Sequence, residues 1–128
     1  MRLRDIMKDA DTVDSDTTLQ KAAGLMAQNN IGCLLVLVDG EVKGIITERD
    51  VIKQVGKDSR SLEHPVSDYM SRKLVTADAD MDIDEAAVIM KKNGIKKLPV
   101  TVDDKIEGIV TQTDLIANAG DFNDFSVL

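Results

Sequence analysis

The sequence predicts an α+β fold built from two tandem βαββα repeats packed with pseudo-twofold symmetry. Three observations carry the prediction. The chain falls on itself after a shift of 64 residues, each half places an amphipathic helix ahead of two short apolar runs, and an Asp-Gly or Asp-Asp turn joins those runs.

The repeat comes first, because it constrains everything else. Thr12 to Ile52 overlays Thr76 to Ile116 without a gap, and about two in five of the paired positions are identical. Among them are Thr12/Thr76, Asp14/Asp78, Ala22/Ala86, Met26/Met90, Ile31/Ile95, Leu34/Leu98, Gly44/Gly108, Thr47/Thr111 and Asp50/Asp114. Upstream, Ile6-Met7 answers Tyr69-Met70 at a shift one residue shorter. A unit this long that occurs twice implies a pair, since a solenoid needs three or more copies.

Each unit opens on a short extended segment, Thr12-Val13 in the first half and Leu74-Val75-Thr76 in the second. A helix follows. Leu19, Ala22, Ala23 and Met26 stand at i, i+3, i+4 and i+7, and Ile83, Ala86, Ala87 and Met90 repeat that stripe. Asp16 or Thr17, and Asp80 or Asp82, are the expected N-caps, while Asn29-Asn30 and Asn93-Gly94 supply the stops. Next come strands over 33–38 and 98–102, turns at Asp39-Gly40 and Asp103-Asp104, and return strands over 42–46 and 106–110. A second helix begins near Thr47 and Thr111, and a polar stretch from Gly56 to Pro65 joins the halves. The expected organisation is a first repeat over 1–58, a linker over 59–66, a second repeat over 67–120 and a tail over 121–128 carrying Phe122 and Phe125.

Composition removes several classes of function. A net charge of −7 argues against binding a phosphate backbone, which needs a basic face. Tyr69, Phe122 and Phe125 are the only aromatic residues, too few for a base-stacking platform. The single cysteine, Cys33, fits a reducing cytoplasm, and nothing in the first residues resembles a signal peptide. The longest apolar run is too short to span a bilayer. Catalysis has little to stand on: one histidine (His64, before Pro65) and one cysteine in an apolar strand make neither a nucleophile–base pair nor a zinc site. The chain therefore reads as a non-enzyme that requires no cofactor.

The residues open to chemistry end each second strand: Gly44-Ile45-Ile46-Thr47-Glu48-Arg49-Asp50, and Gly108-Ile109-Val110-Thr111-Gln112-Thr113-Asp114. Thr-x-x-Asp at a strand-to-helix junction has two readings. It is close to a capping box, in which Thr and Asp satisfy the helix's own amides. It also suits a ribose clamp, with the carboxylate accepting from the ribose hydroxyls, the threonine reaching a phosphate or ribose oxygen, and the helix start facing the phosphate. Duplication copies caps as faithfully as sites, so recurrence does not separate the two.

The Gly-hydrophobic-hydrophobic-Thr-x-x-Asp phrase, Ile95-Lys96-Lys97-Leu98-Pro99-Val100 and the upstream Asp68-Tyr69-Met70 together resemble the cystathionine β-synthase (CBS) domain. The resemblance covers a tandem pair, roughly Arg4 to Ala119, as in a stand-alone Bateman-type module. It implies two clefts between the repeats for AMP, ADP, ATP or S-adenosylmethionine, and association into a disc-shaped homodimer. It also implies nucleotide-binding roles for Thr47 with Asp50 and for Thr111 with Asp114. Adenine would lie against Thr12, Val13 and Ile31, or against Val75, Thr76 and Ile95. Arg49, Lys96 and Lys97 would stand toward phosphate, and the adjoining Pro99 belongs to the same nucleotide-binding set. The halves depart from one another here: Gly32-Cys33-Leu34-Leu35 answers Lys96-Lys97-Leu98-Pro99, and Thr113 answers Arg49, so the second half's basic pair should handle phosphate better. The function implied is a sensor that passes its ligand state to a separate effector protein. The alternative is a dimerising scaffold with empty clefts.

Overall fold

A computed structural model describes residues 1–119 of the chain. The expected tail over 121–128, with Phe122 and Phe125, lies outside the described residues. The elements, in chain order, are β1 (Lys8–Asp9), β2 (Thr12–Asp14), α1 (Leu19–Asn29), β3 (Cys33–Val38), β4 (Glu41–Thr47), α2 (Glu48–Lys57), β5 (Ala77–Asp78), α3 (Ile83–Asn93), β6 (Lys97–Val102), β7 (Lys105–Thr111) and α4 (Gln112–Ala117). The βαββα order predicted for each half is present twice.

Two compact units result, and their boundaries do not follow chain order. One holds Asp11–Leu74; the other joins Met1–Ala10 to the chain from Val75 onward. The first ten residues therefore pack with the second repeat, and 59–74, which includes the expected linker, pack with the first. Leu3 shows how: its amide donates to the Met81 carbonyl at 2.9 Å, the Arg4 amide donates to Ala79 at 2.8 Å, and the Leu3 side chain is fully buried. In the other unit the Val66 amide donates to Thr17 at 2.7 Å, and Val66 is equally buried. A buried leucine or valine contributes about 1.5–3 kcal/mol toward holding the lead segment on its body, alongside these backbone bonds. The stretch expected as linker is ordered by a 3-10 turn over Ser59–Glu63, which buries Ser61, and by the His64 carbonyl accepting the Leu19 amide at 2.9 Å.

Each unit has one sheet, with strand order β2-β3-β4 in one and β1-β7-β6-β5 in the other. The opening strand runs parallel to its neighbour (Val13 beside Val36, Ala77 beside Val100), and the hairpin is antiparallel. The two-residue turns have positive φ at both positions, 52° and 81° at Asp39-Gly40, 51° and 65° at Asp103-Asp104. That is the hairpin turn whose twist matches its strands. Leu19, Ala22 and Met26 of α1 pack with Leu34, Val36 and Ile46, and Ile83, Ala86 and Met90 of α3 with Leu98, Val100 and Val110. The predicted stripes face the cores, apart from Ala87, which is exposed.

Some boundaries differ from expectation. Thr18, not Asp16 or Thr17, caps α1 by accepting the Lys21 amide at 3.2 Å, because Asp16 lies in the turn that leaves β2. Asp82 caps α3, accepting the Asp84 amide at 2.9 Å, whereas Asp80 is engaged by Arg4 at 2.8 Å. Val75 and Thr76 precede the strand, which begins at Ala77.

Candidate functional site

The Gly-x-x-Thr-x-x-Asp phrase is built by three local demands. A crossing chain leaves the glycine's side-chain position crowded. A Cβ at Gly44 would meet Met70 Sδ at 2.5 Å and the Ser71 carbonyl at 3.0 Å, and one at Gly108 would meet Met7 Sδ and the Lys8 carbonyl at 3.0 Å. The lead segment of each unit thus lies across the second hairpin strand, with Ser71 and Ile45 exchanging backbone bonds at 2.9 and 3.0 Å and Lys8 pairing with Ile109. Ile46 and Val110 then anchor the strand in the two cores.

Thr and Asp close a capping box at both junctions. The Thr47 amide and hydroxyl donate to Asp50 Oδ2 at 2.8 and 2.9 Å, and the Asp50 amide donates to Thr47 Oγ1 at 3.3 Å. The Thr111 amide donates to Asp114 Oδ2 at 2.9 Å, and the Asp114 amide donates to Thr111 Oγ1 at 3.1 Å. Each box satisfies amides that a helix start leaves without partners. The capping reading of the phrase is thereby shown, and it uses one carboxylate oxygen of each aspartate.

The other oxygen distinguishes the junctions. Asp114 Oδ1 receives the Lys8 ammonium at 3.2 Å, and the Asp114 side chain is only 12% exposed. Asp50 Oδ1 has no partner among the described residues. Burial acts to raise the Asp114 carboxyl pKa, but the Thr111 amide and hydroxyl and the Lys8 ammonium outweigh it and hold the group below its ordinary value.

The segment after each first helix is tied to the same junction. The Glu48 amide donates to the Gly32 carbonyl at 3.0 Å, and the Gln112 amide to the Lys96 carbonyl at 2.9 Å. This sets Ile31 and Ile95 against their cores, partly buried, beside the starts of α2 and α4. In the first repeat a cavity of about 310 Å³ opens between α1 and α2, lined by Met26, Ile31, Gly32, Glu48, Val51 and Ile52 among others. Of the expected nucleotide-binding residues it includes Ile31 alone.

The remaining expected residues divide by exposure. Thr12, Arg49, Thr76 and Lys96 are exposed, and Val75 and Lys97 are half-buried. Val13 is 7% exposed and packs in its core, so its side chain is committed to α1 packing, while Pro99 is buried on β6. Lys8 was missed by sequence reasoning, although it departs from its repeat mate Ser71 where Met7 and Met70 agree. Among the described residues no group of three His, Cys, Asp or Glu could hold a metal ion, and no helix is long and apolar enough to cross a membrane.

Comparison with known proteins agrees with this architecture. The CBS domain family matches residues 3–57 and again 66–121. The CBS domain-containing protein YhcV of Bacillus subtilis is 36% identical over 107 residues, 84% of this chain and 76% of that protein. The inosine-5'-monophosphate dehydrogenase of Thermoplasma acidophilum is 40% identical over 112 residues, 87% of this chain but 22% of the enzyme, so the chain spans about a fifth of that relative's length. Among solved structures, the CBS domain pair of protein MJ0100 in complex with 5'-methylthioadenosine and S-adenosyl-L-methionine superposes with a TM-score of 0.83 at 27% identity, covering 95% of this chain and 98% of that one. Two family matches in tandem, on two units of the same topology, establish that the chain belongs to the CBS-domain family and carries a pair of such domains.

Proposed function

We propose that this chain is a non-catalytic regulatory sensor for an adenosine-containing ligand (AMP, ADP, ATP or S-adenosylmethionine). Ligand is held at the Thr-x-x-Asp junctions, and the bound state is passed to a partner protein. One observation carries the reading. Asp50 caps α2 through Oδ2 alone, which leaves Oδ1 able to accept a ribose hydroxyl without dismantling the helix start. Capping and ribose binding are therefore compatible at one carboxylate, which has lone pairs enough for both. The adenosine ligands bound by the MJ0100 pair support the ligand class. Thr47 with Asp50, and Thr111 with Asp114, would hold ribose; Thr12, Ile31, Thr76 and Ile95 would border the adenine; Lys96 and Lys97 would stand toward phosphate.

A homodimer is part of the proposal. Val88 on α3 and Ile116 on α4 in one unit are 65% and 48% exposed, and Ile52 on α2 in the other is 72% exposed, apolar side chains available for association with a second copy. A change in ligand state reaches an effector only where the ligand binds one arrangement of the pair better than another.

A second reading is favoured by the completeness of both capping boxes: a scaffold in which the aspartates only cap. Thermal unfolding against AMP, ADP, ATP and S-adenosylmethionine separates the two. Ligand at about 100 times its dissociation constant adds roughly 2.7 kcal/mol, a rise of about 5–15 °C at this size. Such a rise, reduced in Asp50→Asn or in Asp114→Asn, is expected for the sensor. No rise with any ligand, together with early melting of Asp50→Asn and Asp114→Asn, would leave the scaffold.

A further inference from the structure

Lys8 and Ser71 hold equivalent places in the two units. Lys8 pairs with Ile109 and Ser71 with Ile45, and Ile109 and Ile45 are repeat mates in the Gly-Ile strand that leads to the Thr-x-x-Asp junction. The side chains at this shared place differ in kind. Lys8 reaches Asp114 Oδ1 at 3.2 Å and is itself 73% exposed, so its ammonium has two further hydrogens turned to open space. The Ser71 hydroxyl has no partner among the described residues, and it does not reach Asp50.

Among the described residues no cation is within ion-pair distance of Asp50, although Lys53 stands three residues along α2. Arg72 donates to the Ser67 carbonyl at 3.3 Å. Arg49 is the residue before Asp50 on α2, and side chains at i and i+1 on a helix do not face each other. In the other unit, Asp9 follows Lys8 on a strand and points to the opposite face, so it does not cancel the ammonium.

Resting on the adenosine-sensor reading above, we infer that Lys8 is a specificity-determining residue. It makes the Thr111/Asp114 junction the one that takes phosphate-bearing adenosine ligands, while Ser71 leaves the Thr47/Asp50 junction to adenosine ligands without phosphate. A phosphate beside Asp114 gains a charge-assisted hydrogen bond from Lys8, which also offsets repulsion by the carboxylate. A phosphate beside Asp50 meets an uncompensated carboxylate, whereas an uncharged ribose hydroxyl finds a ready acceptor in Oδ1.

Calorimetric titration of the full chain with two probes, AMP and 5'-methylthioadenosine, tests this in wild type, Lys8→Ser, Lys8→Arg and Ser71→Lys. Lys8→Ser should weaken AMP binding roughly tenfold and leave 5'-methylthioadenosine within about twofold. Lys8→Arg should keep the AMP affinity, and Ser71→Lys should strengthen AMP binding at the other junction. A Lys8→Ser protein that binds both probes as wild type does, or loses both equally, overturns the assignment of Lys8 and leaves the sensor reading standing. A wild type that binds neither probe overturns both.

Discussion

The two Thr-x-x-Asp junctions are copies of one design that have come to differ in charge. Both close the same capping box, and both sit beneath a crossing lead segment that leaves a Cβ at the strand glycine little room. At Asp114 the lead segment brings a lysine, the carboxylate is buried, and its pKa is held down once its bonds outweigh burial. At Asp50 the lead segment brings a serine, and one carboxylate oxygen stays open. Each lead segment lies outside the βαββα order of its unit, and in one unit it comes from the chain's first ten residues.

The largest effect should come from breaking the lead segments. Leu3→Ala should cost about 2–5 kcal/mol, and Val66→Ala less, because fewer methyl groups are lost. Hydrogen exchange distinguishes their territories: Leu3→Ala should loosen 75–119, and Val66→Ala should loosen 11–57. Loosening of the sequence-adjacent repeat instead would contradict the pairing of residues 1–10 with the second repeat.

The crossing glycines come next. Gly44→Ala and Gly108→Ala should each cost roughly 1–3 kcal/mol by chemical denaturation, since the new Cβ meets a backbone carbonyl as well as a methionine. Trimming Met70 to Ala should relieve only part of the Gly44→Ala cost, because the Ser71 carbonyl remains in the way.

Removing the caps should cost about 0.5–2 kcal/mol each, with Asp114→Asn the larger because it also weakens the ion pair with Lys8. The pH dependence sharpens the contrast. The folded Asp114 carboxyl lies below its unfolded value of about 3.9, so its stabilisation is complete above that value and is lost as pH falls through the folded one. Urea midpoints of wild type and Asp114→Asn should therefore differ most above about pH 5 and draw together only as pH falls below about 3.9 and through the folded value.

The smallest effect concerns the hairpin turns. Asp104 adopts a φ of 65° where the first hairpin has Gly40, so Asp104→Gly should raise stability by a few tenths to about 1 kcal/mol.

Much of this was legible in the sequence, for physical reasons. Apolar periodicity marks α1 and α3, and the Asp-Gly turn marks a hairpin, because these signals are local. The caps at Thr47/Asp50 and Thr111/Asp114 are local too. The exchange of lead segments was hidden: residues 1–10 adjoin the first repeat in sequence, and so short a segment has no periodicity to show which body buries Leu3. Val13 reads as a ligand contact by its place in the motif, yet alternation along β2 turns it into the core. Lys8 was visible only as a mismatch with Ser71, and its meaning required the pairing that sets it beside Asp114.

Amide chemical-shift titration by NMR, with AMP and 5'-methylthioadenosine in turn, tests the inequivalence of the junctions most directly. The account predicts that AMP first moves the amides of Lys8, Thr111 and Asp114, and that 5'-methylthioadenosine first moves those of Thr47, Asp50 and Ser71. The same order of shifts for both ligands, or shifts confined to residues away from both junctions, would contradict it.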